Sequence, residues 1–378
     1  MLNENPFVKI RRELHLIPEI GLEEYKTHEY LMKKIMDLPQ EHLEIKTWNT
    51  AIVVRVKGTE GAKTIGWRTD IDGLPVTEET GLSFQSIHEG RMHACGHDMH
   101  MAIALGLLTK FSHQPGKDNF VVLFQPAEEN ESGGKVVYDH GLLDEWMPDE
   151  IYALHVQPDL PVGTIGSRSG TLFAGTCTIR AKFKGKSGHA AYPHKSNDMI
   201  VAASQFVTQL QTIVSRSVNP VEGGVITIGT FNAGTAENII SGEANLSGTI
   251  RTLTTEMSQL MMERVRQIKV GIEQSYQCEI ELILQQGGYL PVVNAEKETN
   301  EFIAFMENNP AVDFVLSPTA MIGEDFGYLL DKIPGTMFWL GVNSPFELHH
   351  AKMNPNEAAI PFAIEQVGAF LAAKLNQV

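Results

Sequence analysis

The stretch Thr64-Ile65-Gly66-Trp67-Arg68-Thr69-Asp70-Ile71-Asp72 joins a short apolar run to two aspartates and decides the fold class. Its apolar part, Thr64–Trp67, predicts a strand. Further strands are predicted over Ile52–Lys57, Phe120–Phe124, Ile151–Leu154 and Met337–Gly341, and helices over Pro6–Ile17, Leu22–Met36 and Met99–Phe111. This alternation of apolar strands with helices predicts an α/β layer built on a central sheet.

The middle of the chain has a different order of elements. It contains a strand over Gly175–Lys184, a helix over Asp198–Val218, strands over Gly224–Phe231 and Ile239–Leu253, a helix over Thr255–Tyr276 and a strand over Cys278–Leu284. The order β-α-β-β-α-β is that of a ferredoxin-like α+β domain. The sequence therefore predicts an α/β domain over residues 1–173 and 288–378, with a second domain inserted over residues 174–287.

The chain has 378 residues, with 30 basic against 46 acidic side chains and a net charge of −16. This balance argues against nucleic acids and anionic membrane surfaces as partners. Three cysteines do not form a disulfide framework, and Cys177 and Cys278 are predicted to be buried thiols. The sequence up to Arg12 lacks the apolar segment of a signal peptide, and no apolar run is long enough to span a bilayer, so a cytoplasmic protein is expected.

Side chains of the types that bind divalent metals lie in five short segments. Four segments follow predicted strands and contain Asp70, Glu128 with Glu129, His155 and His349. Because ligands bind outside the carboxyl ends of strands in open α/β sheets, these side chains are expected to meet in one cleft. The fifth segment contains Cys95 and His97. A thiol and imidazoles, with more carboxylates than metal binding needs, indicate a hydrolase that activates water with a metal.

Cys95 and His97 are two residues apart, a spacing at which side chains share a face in an extended segment but not in a helix. The pair can hold one metal if the next helix begins after it, with Asp98 as the N-cap. Zinc is the default metal for such ligands, with cobalt, nickel and manganese as alternatives. The competing interpretation is that both side chains are merely buried near a helix start. His93 and His100 are interpreted as bystanders.

Two pairs of carboxylates accompany these ligands. In a metal cleft, one member of the Glu128–Glu129 pair can bind the metal while the other accepts a proton from the activated water, and the residues alone do not say which does which. A solvated turn is the alternative. Asp70 and Asp72 share a face if their strand continues, so that one of them could bind the metal or orient a ligand histidine. Ordinary turn aspartates are the alternative there.

The inserted domain contributes further candidates. His189 lies in an irregular loop that also contains His194, while Asn238 and Arg251 flank the long predicted strand. The guanidinium of Arg251 could bind a substrate carboxylate in bidentate geometry, with a surface ion pair as the alternative. Two other classes of protein are alternatives to the metal-dependent hydrolase. A cysteine protease with Cys95 as nucleophile leaves the carboxylates without a role, and a structural zinc module needs four closed ligands and no spare base.

The chain resembles the M20 metallopeptidases over nearly its whole length. Within that family it is most similar to the amidohydrolase branch, which includes hippurate hydrolases, indole-acetyl-amino-acid hydrolases and N-acetyldiaminopimelate deacetylases. The motifs that carry the resemblance are Arg68–Pro75, His93–Asp98, Gln125–Glu129, Gly188–His194, Gly248–Arg251 and Gly323–Phe326. The segments Ile10–His15 and Leu348–Lys352 favour the deacetylases of lysine biosynthesis.

The resemblance implies roles for particular residues. Five of them match metal-ligand positions: Cys95, His97, Glu129, His155 and His349. Asp70 matches the catalytic aspartate, and Glu128 matches the general base, with Glu129 as the other candidate. His189 matches a lid residue that stabilises the oxyanion, often across a dimer interface, and Asn238 and Arg251 match lid residues that contact substrate.

The chain departs from the family at two places. Many members have a ligand histidine where this chain has Arg68, and many in the branch continue His-His with proline where it reads His349-His350-Ala351. We take His349 as the ligand. The resemblance implies a metal-dependent deacetylase acting on N-acetyl-diaminopimelate, with a lid domain that can form a homodimer. A hippurate or general N-acyl-amino-acid hydrolase is the first alternative, and a non-catalytic metal-dependent binding protein is the second.

Overall fold

The computed structural model describes residues 5–377 and divides them into two units. The first unit contains the described residues up to Leu172, Val292–Pro318 and the described residues from Asp325 onward. The second contains Phe173–Pro291 and Thr319–Glu324. The second unit thus includes residues 173, 288–291 and 319–324, which the sequence assigned to the first domain. Residues 1–4 and 378, also assigned to that domain, lie outside the described residues.

The α-helices and strands of residues 5–377 have the following bounds. The helices are α1 Pro6–His15, α2 Tyr25–Met36, α3 His97–His113, α4 Gly133–Asp139, α5 Met199–Arg216, α6 Thr255–Tyr276, α7 Glu296–Glu307, α8 Phe326–Lys332 and α9 Ala359–Lys374. The strands are β1 Leu43–Trp48, β2 Ala51–Val56, β3 Thr64–Asp70, β4 Asn119–Gln125, β5 Glu150–Gln157, β6 Thr164–Ser167, β7 Gly170–Phe173, β8 Gly175–Lys184, β9 Gly188–His189, β10 Gly224–Ala233, β11 Ile239–Ile240, β12 Glu243–Thr252, β13 Glu279–Gln285, β14 Val292–Asn294, β15 Asp313–Leu316 and β16 Gly335–Gly341.

The first unit is built on an eight-stranded sheet in the order β1-β2-β4-β3-β5-β16-β6-β15. Its four central strands, β4, β3, β5 and β16, run parallel to one another. Asp70 at the end of β3 stands opposite Gln125 at the end of β4, and His155 on β5 stands opposite Trp339 on β16. The carboxyl ends of these four strands therefore meet at one edge, and the predicted central sheet is confirmed. The fifth predicted strand, β2, runs antiparallel to β4.

Helix α3 supports this edge of the sheet. Nearly all of its side chains are buried in the main core, including Met101, Leu105 and Leu108. A helix that is apolar on all sides is buried on all sides. Because α3 packs against β3, β4 and β5, it holds its N-terminal end at the carboxyl edge of the sheet.

The second unit is a four-stranded antiparallel sheet in the order β10-β12-β8-β13, packed with α5 and α6. Alternate residues of β8, such as Ile179 and Phe183, point into its core against Phe206 of α5. The order β8-α5-β10-β12-α6-β13 is the ferredoxin-like order predicted from the sequence, with β8 and β12 at the centre.

The structure corrects three details of the sequence prediction. The long strand Ile239–Leu253 is interrupted at residues 241–242 and forms β11 and β12. Cys278 is half-buried and precedes β13, whereas Cys177 is buried as predicted. The strands β1, β6, β7, β9, β14 and β15 and the helices α4, α7, α8 and α9 were not predicted. Within residues 5–377, the helices are all too short or too polar to cross a membrane.

Candidate metal centre

Gly96 fixes how Cys95 and His97 meet, and here the sequence prediction was wrong. Helix α3 begins at His97, not after it, and its N-cap is Gly96 in the left-handed conformation with φ of 83°. This backbone reversal lets two residues at i and i+2 share a site without an extended segment. Asp98 is therefore not the N-cap. It lies in the first helical turn, where its carboxylate accepts hydrogen bonds from Arg11 (2.7 Å) and His15 (2.8 Å).

Replacing Gly96 with alanine should damage the site, because a Cβ there would lie 2.6 Å from Cγ2 of Val156 on a backbone that disfavours side chains. Gly90 is the matched control, since its φ is 72° and nothing lies within 4 Å of a Cβ built there. We expect Gly90→Ala to cost about 1–2 kcal/mol in the free energy of unfolding. Gly96→Ala should cost more and also weaken metal binding ~10–100-fold. Equal metal affinity in the two variants would contradict this account.

The ligand atoms form two groups of three that share Cys95. One group is Cys95, His97 and His155, the other is Cys95, Glu129 and His349, and within each group the ligand atoms lie within 4.8 Å of one another. The Cys95 Sγ is 3.3 Å from Nε2 of His155, and Nε2 of His349 is 3.4 Å from Oε1 of Glu129. His349 is the histidine that faces the site, as preferred from the sequence, whereas the ring of His350 stacks on Phe346.

Two buried atoms at the centre of these groups have no hydrogen-bond partner within residues 5–377: Nε2 of His97 and Oε1 of Glu129. Buried polar atoms are rarely left unpaired, so each calls for a partner of another kind. Thiolate, imidazole and carboxylate donors are those that zinc and similar divalent metals bind. The residues present therefore fit a metal.

Backbone carbonyls orient the two buried imidazoles. Nδ1 of His97 donates to the carbonyl of Asp72 (2.9 Å), and Nδ1 of His155 donates to the carbonyl of Val156 (2.9 Å). Nε2 of His155 faces Cys95, and Nε2 of His97 faces Glu129. The Nδ1 hydrogen bonds thus leave Nε2 of each ring as the atom that would bind a metal, once any proton on it is displaced.

Carboxylates make the site strongly favourable for positive charge. Burial alone would lower the pKa of His97, but the carboxylates of Asp70 and Asp72 outweigh burial and raise that pKa to about 10. Burial, together with Glu129 and Glu128, holds the pKa of the Cys95 thiol well above its ordinary value. A cation bound here would satisfy the carboxylates and stabilise the thiolate at the same time.

The Glu128–Glu129 pair lies in a loop that two other carboxylates hold in place. The backbone N–H of Glu129 donates to Oδ2 of Asp72, and the N–H of Ala127 donates to Oε1 of Glu24, both at 2.9 Å. Ala127 has a φ of 56°, an uncommon value for a residue with a side chain. Asp72 thus lies beyond the end of β3 and positions both His97 and Glu129. The ligand atoms of His97, Glu128 and Glu129 lie within 4.8 Å of one another.

Glu24 was missed by sequence reasoning, because a glutamate before a helix has the pattern of an ordinary helix start. It is fully buried, and Oγ1 of Thr50 donates to its Oε2 (2.6 Å). Burial raises its pKa to about 7. The folded protein therefore binds this proton more tightly than the unfolded chain does.

This raised pKa predicts a pH dependence of stability. For an acid whose pKa rises on folding, stability is greatest below the unfolded pKa of about 4.5 and falls until the pH passes about 7. Glu24→Gln removes this titration. The free energy of unfolding of the metal-free wild type, minus that of the variant, should therefore fall by at most about 3 kcal/mol between pH 4.5 and 7. Urea unfolding across this range measures the difference. A difference that is constant with pH would contradict the prediction.

Arg68 anchors Asp70 inside the protein. Its guanidinium donates to Gln125, Asp70 and Asp325 through Nε, Nη1 and Nη2, at 2.8, 2.7 and 2.7 Å. Burial would raise the pKa of Asp70, but His97, His100 and Arg68 hold it well below its usual range. Asp70 is therefore a fixed carboxylate rather than a proton acceptor. Asp325, which sequence reasoning quoted without a role, completes the network.

The second unit brings His189 and Asn238 together. His189 on β9 pairs with Ile239 on β11, and the N–H of Ala190 donates to the carbonyl of Asn238 (3.1 Å). Both side chains are exposed. Arg251 lies on β12, half-buried, with a hydrogen bond to Thr249, and no carboxylate of residues 5–377 forms an ion pair with it.

The chain is similar to several known proteins. The model of peptidase family M20/M25/M40 matches residues 66–373. The chain is 60% identical over 371 residues to an N-acetyldiaminopimelate deacetylase of Ligilactobacillus salivarius, covering 98% of this chain and 97% of that protein. It is 56% identical over 375 residues to a protein of the same name from Enterococcus faecalis, covering 99% of each. Bacillus subtilis YXEP, described as a dinuclear metal-binding peptidase of the M20 family, is 31% identical with a TM-score of 0.83, covering 98% of each chain.

Proposed function

The chain belongs to peptidase family M20/M25/M40, and from this membership we propose that it deacetylates N-acetyl-diaminopimelate to diaminopimelate and acetate, a step of lysine biosynthesis. The chain is a metal-dependent amidohydrolase of the kind that its relatives represent. The observation that carries the proposal is the pair of ligand groups sharing Cys95, with the carboxylate of Glu128 beside them.

Cys95, His97, Glu129, His155 and His349 would hold the metal. A divalent metal supplies Lewis acidity, which polarises an amide carbonyl and makes water easier to deprotonate. Because Cys95 belongs to both groups, we propose that the donor atoms present could hold up to two ions. The donor set suits zinc, cobalt, nickel or manganese.

Glu128 is the carboxylate of the pair that we assign to proton transfer. Glu129 faces the two histidines His349 and His97, whereas Glu128 is buried beside them. Glu128 accepts the proton of the attacking water and returns it to the leaving amine, as a general base and then a general acid. Asp70, fixed by Arg68, supports the positive charge of the site.

The second unit supplies the remaining roles in this proposal. His189 stabilises the oxyanion of the acetyl group, and Asn238 and Arg251 bind the substrate. The half-buried guanidinium of Arg251 lacks a carboxylate of its own within residues 5–377, which supports a role in binding the substrate's α-carboxylate.

We propose a homodimer through the second unit. Strand β10 is an edge of its sheet and exposes Val225 and Phe231, which supports pairing with another copy. Light scattering of the purified protein tests the dimer. The scarcity of cysteines favours the cytoplasm as its location.

A panel of substrates tests the proposed activity. Acetate release from N-acetyl-diaminopimelate should have a higher kcat/KM than hydrolysis of N-benzoyl-glycine, the hippurate alternative. A preference for N-benzoyl-glycine would reject the deacetylase proposal while keeping the amidohydrolase class. Metal binding without hydrolysis of any N-acyl amino acid would favour a non-catalytic binding protein.

A further inference from the structure

His100 has both of its ring nitrogens engaged inside the site. Its Nδ1 lies 2.6 Å from Oδ1 of Asp70, and its Nε2 lies 3.1 Å from the backbone nitrogen of Val156. A backbone N–H can only donate, so Nε2 of His100 must accept. The ring proton is therefore on Nδ1, where it is donated to Asp70.

This arrangement separates His100 from the metal ligands. His100, Asp70 and His97 bring their ligand atoms within 4.8 Å of one another, a grouping that resembles a metal site. However, Nε2 of His100 has its lone pair directed at Val156, and Nδ1 carries the proton. Neither nitrogen is available to a metal.

Val156 connects His100 to a ligand. The N–H of this residue donates to His100, and its carbonyl accepts from Nδ1 of His155, the residue before it. The rings of His100 and His155 also meet edge to face, with centroids 4.8 Å apart. A continuous chain of contacts thus runs from Asp70 through His100 and Val156 to His155.

We propose that His100 is a positioning residue, whose Nδ1–H orients Asp70 and whose Nε2 holds the backbone N–H of Val156, the residue whose carbonyl orients the metal ligand His155. The inference rests on the proposed function in so far as His155 binds a metal. His100 donates a hydrogen bond to Oδ1 of Asp70, and Arg68 donates one to Oδ2. The carboxylate of Asp70 therefore has a single fixed orientation towards His97.

Two substitutions separate the two halves of this role. In His100→Asn the side-chain amide reaches the position of Nδ1 and can still donate to Asp70, whereas in His100→Gln the amide oxygen reaches the position of Nε2 and can still accept from Val156. We expect His100→Gln to keep the metal dissociation constant within about threefold and to lower kcat ~10–100-fold, with little change in KM. We expect His100→Asn to weaken metal binding ~10–100-fold and to lose less in kcat when the metal is saturating.

Metal affinity is measured by competition with a chromophoric chelator, in the absence of substrate, so the test does not depend on which amide is cleaved. His113→Gln and His113→Asn, on the exposed end of the same helix, are the controls and should match the wild type. Equal losses in both His100 variants would overturn the proposal, as would loss of one bound ion per chain in His100→Gln. If the wild type binds metal but releases no acetate, the proposed function fails while the affinity shifts still decide the role of His100.

The tautomer of His100 can also be measured directly in the wild-type protein, so this second test does not depend on a variant that folds. Nitrogen NMR of the histidine rings in the full-length wild-type protein should show His100 neutral and protonated on Nδ1 at pH 7, with and without zinc. A proton on Nε2, a doubly protonated ring, or a zinc-induced shift of a ring nitrogen typical of ligation would overturn the proposal.

Discussion

Replacing Glu128 with glutamine is expected to lower kcat for deacetylation about 10²–10⁴-fold while leaving the bound metal in place. Glutamine keeps the size of the side chain and removes its ability to take up and return a proton, and general acid–base catalysis contributes an effect of this size. The metal remains because Glu129, not Glu128, belongs to a ligand group that contains Cys95. Initial rates of acetate release and metal analysis of the purified variant provide the two measurements.

Two related variants make this prediction specific. Glu129→Gln should instead lose metal, because it removes a carboxylate that belongs to a ligand group. Glu131→Gln, an exposed glutamate of the same loop, should behave like the wild type in both measurements. The assignment of the two glutamates is reversed if Glu128→Gln loses metal while Glu129→Gln retains it with low kcat.

Replacing Cys95 with alanine is expected to have the second large effect, the loss of both ions and of detectable deacetylation. Cys95 is the one residue common to both ligand groups, so its removal leaves each with two donors. Cys177→Ala is the matched control, since it also removes a buried thiol but lies in the core of the second unit. It should keep its metal and its rate.

Metal binding at Cys95 should also depend on pH in a defined direction. Burial and the neighbouring glutamates raise the pKa of this thiol, so it is protonated in the metal-free protein at neutral pH. A metal must displace that proton, and affinity should therefore rise with pH through this range. Deacetylation that survives Cys95→Ala, or a metal affinity that does not change with pH, contradicts the assigned role of Cys95.

The sequence predicted those parts of the fold whose hydrophobic pattern is strong. The central strands β3, β4, β5 and β16 are continuous apolar runs, as strands buried on both faces must be. Strand β15 was missed because it is a short edge strand whose Leu316 is exposed, so it has no such pattern. Edge strands of this kind are defined by their pairing partner rather than by their own composition.

The same distinction holds for the candidate site. Residues that follow apolar strands were found, because strand ends are visible in the sequence. Glu24 and Asp325 were not given roles, because their partners Ala127 and Arg68 are 103 and 257 residues away. His100 lies three residues after His97 in one helix, a spacing that places both side chains on one face. This spacing is a signal in the sequence that His100 belongs to the site and is not a bystander.

The expectation is that deacetylation requires a metal held by the side chains around Cys95. It is tested most directly by stripping the wild-type protein with a chelator, confirming by circular dichroism that it stays folded, and titrating zinc or cobalt while following acetate release from N-acetyl-diaminopimelate. We predict that the stripped protein releases no acetate and that activity returns and saturates by about two ions per chain, one for each ligand group that contains Cys95. Acetate release that is unchanged by chelation would contradict the account.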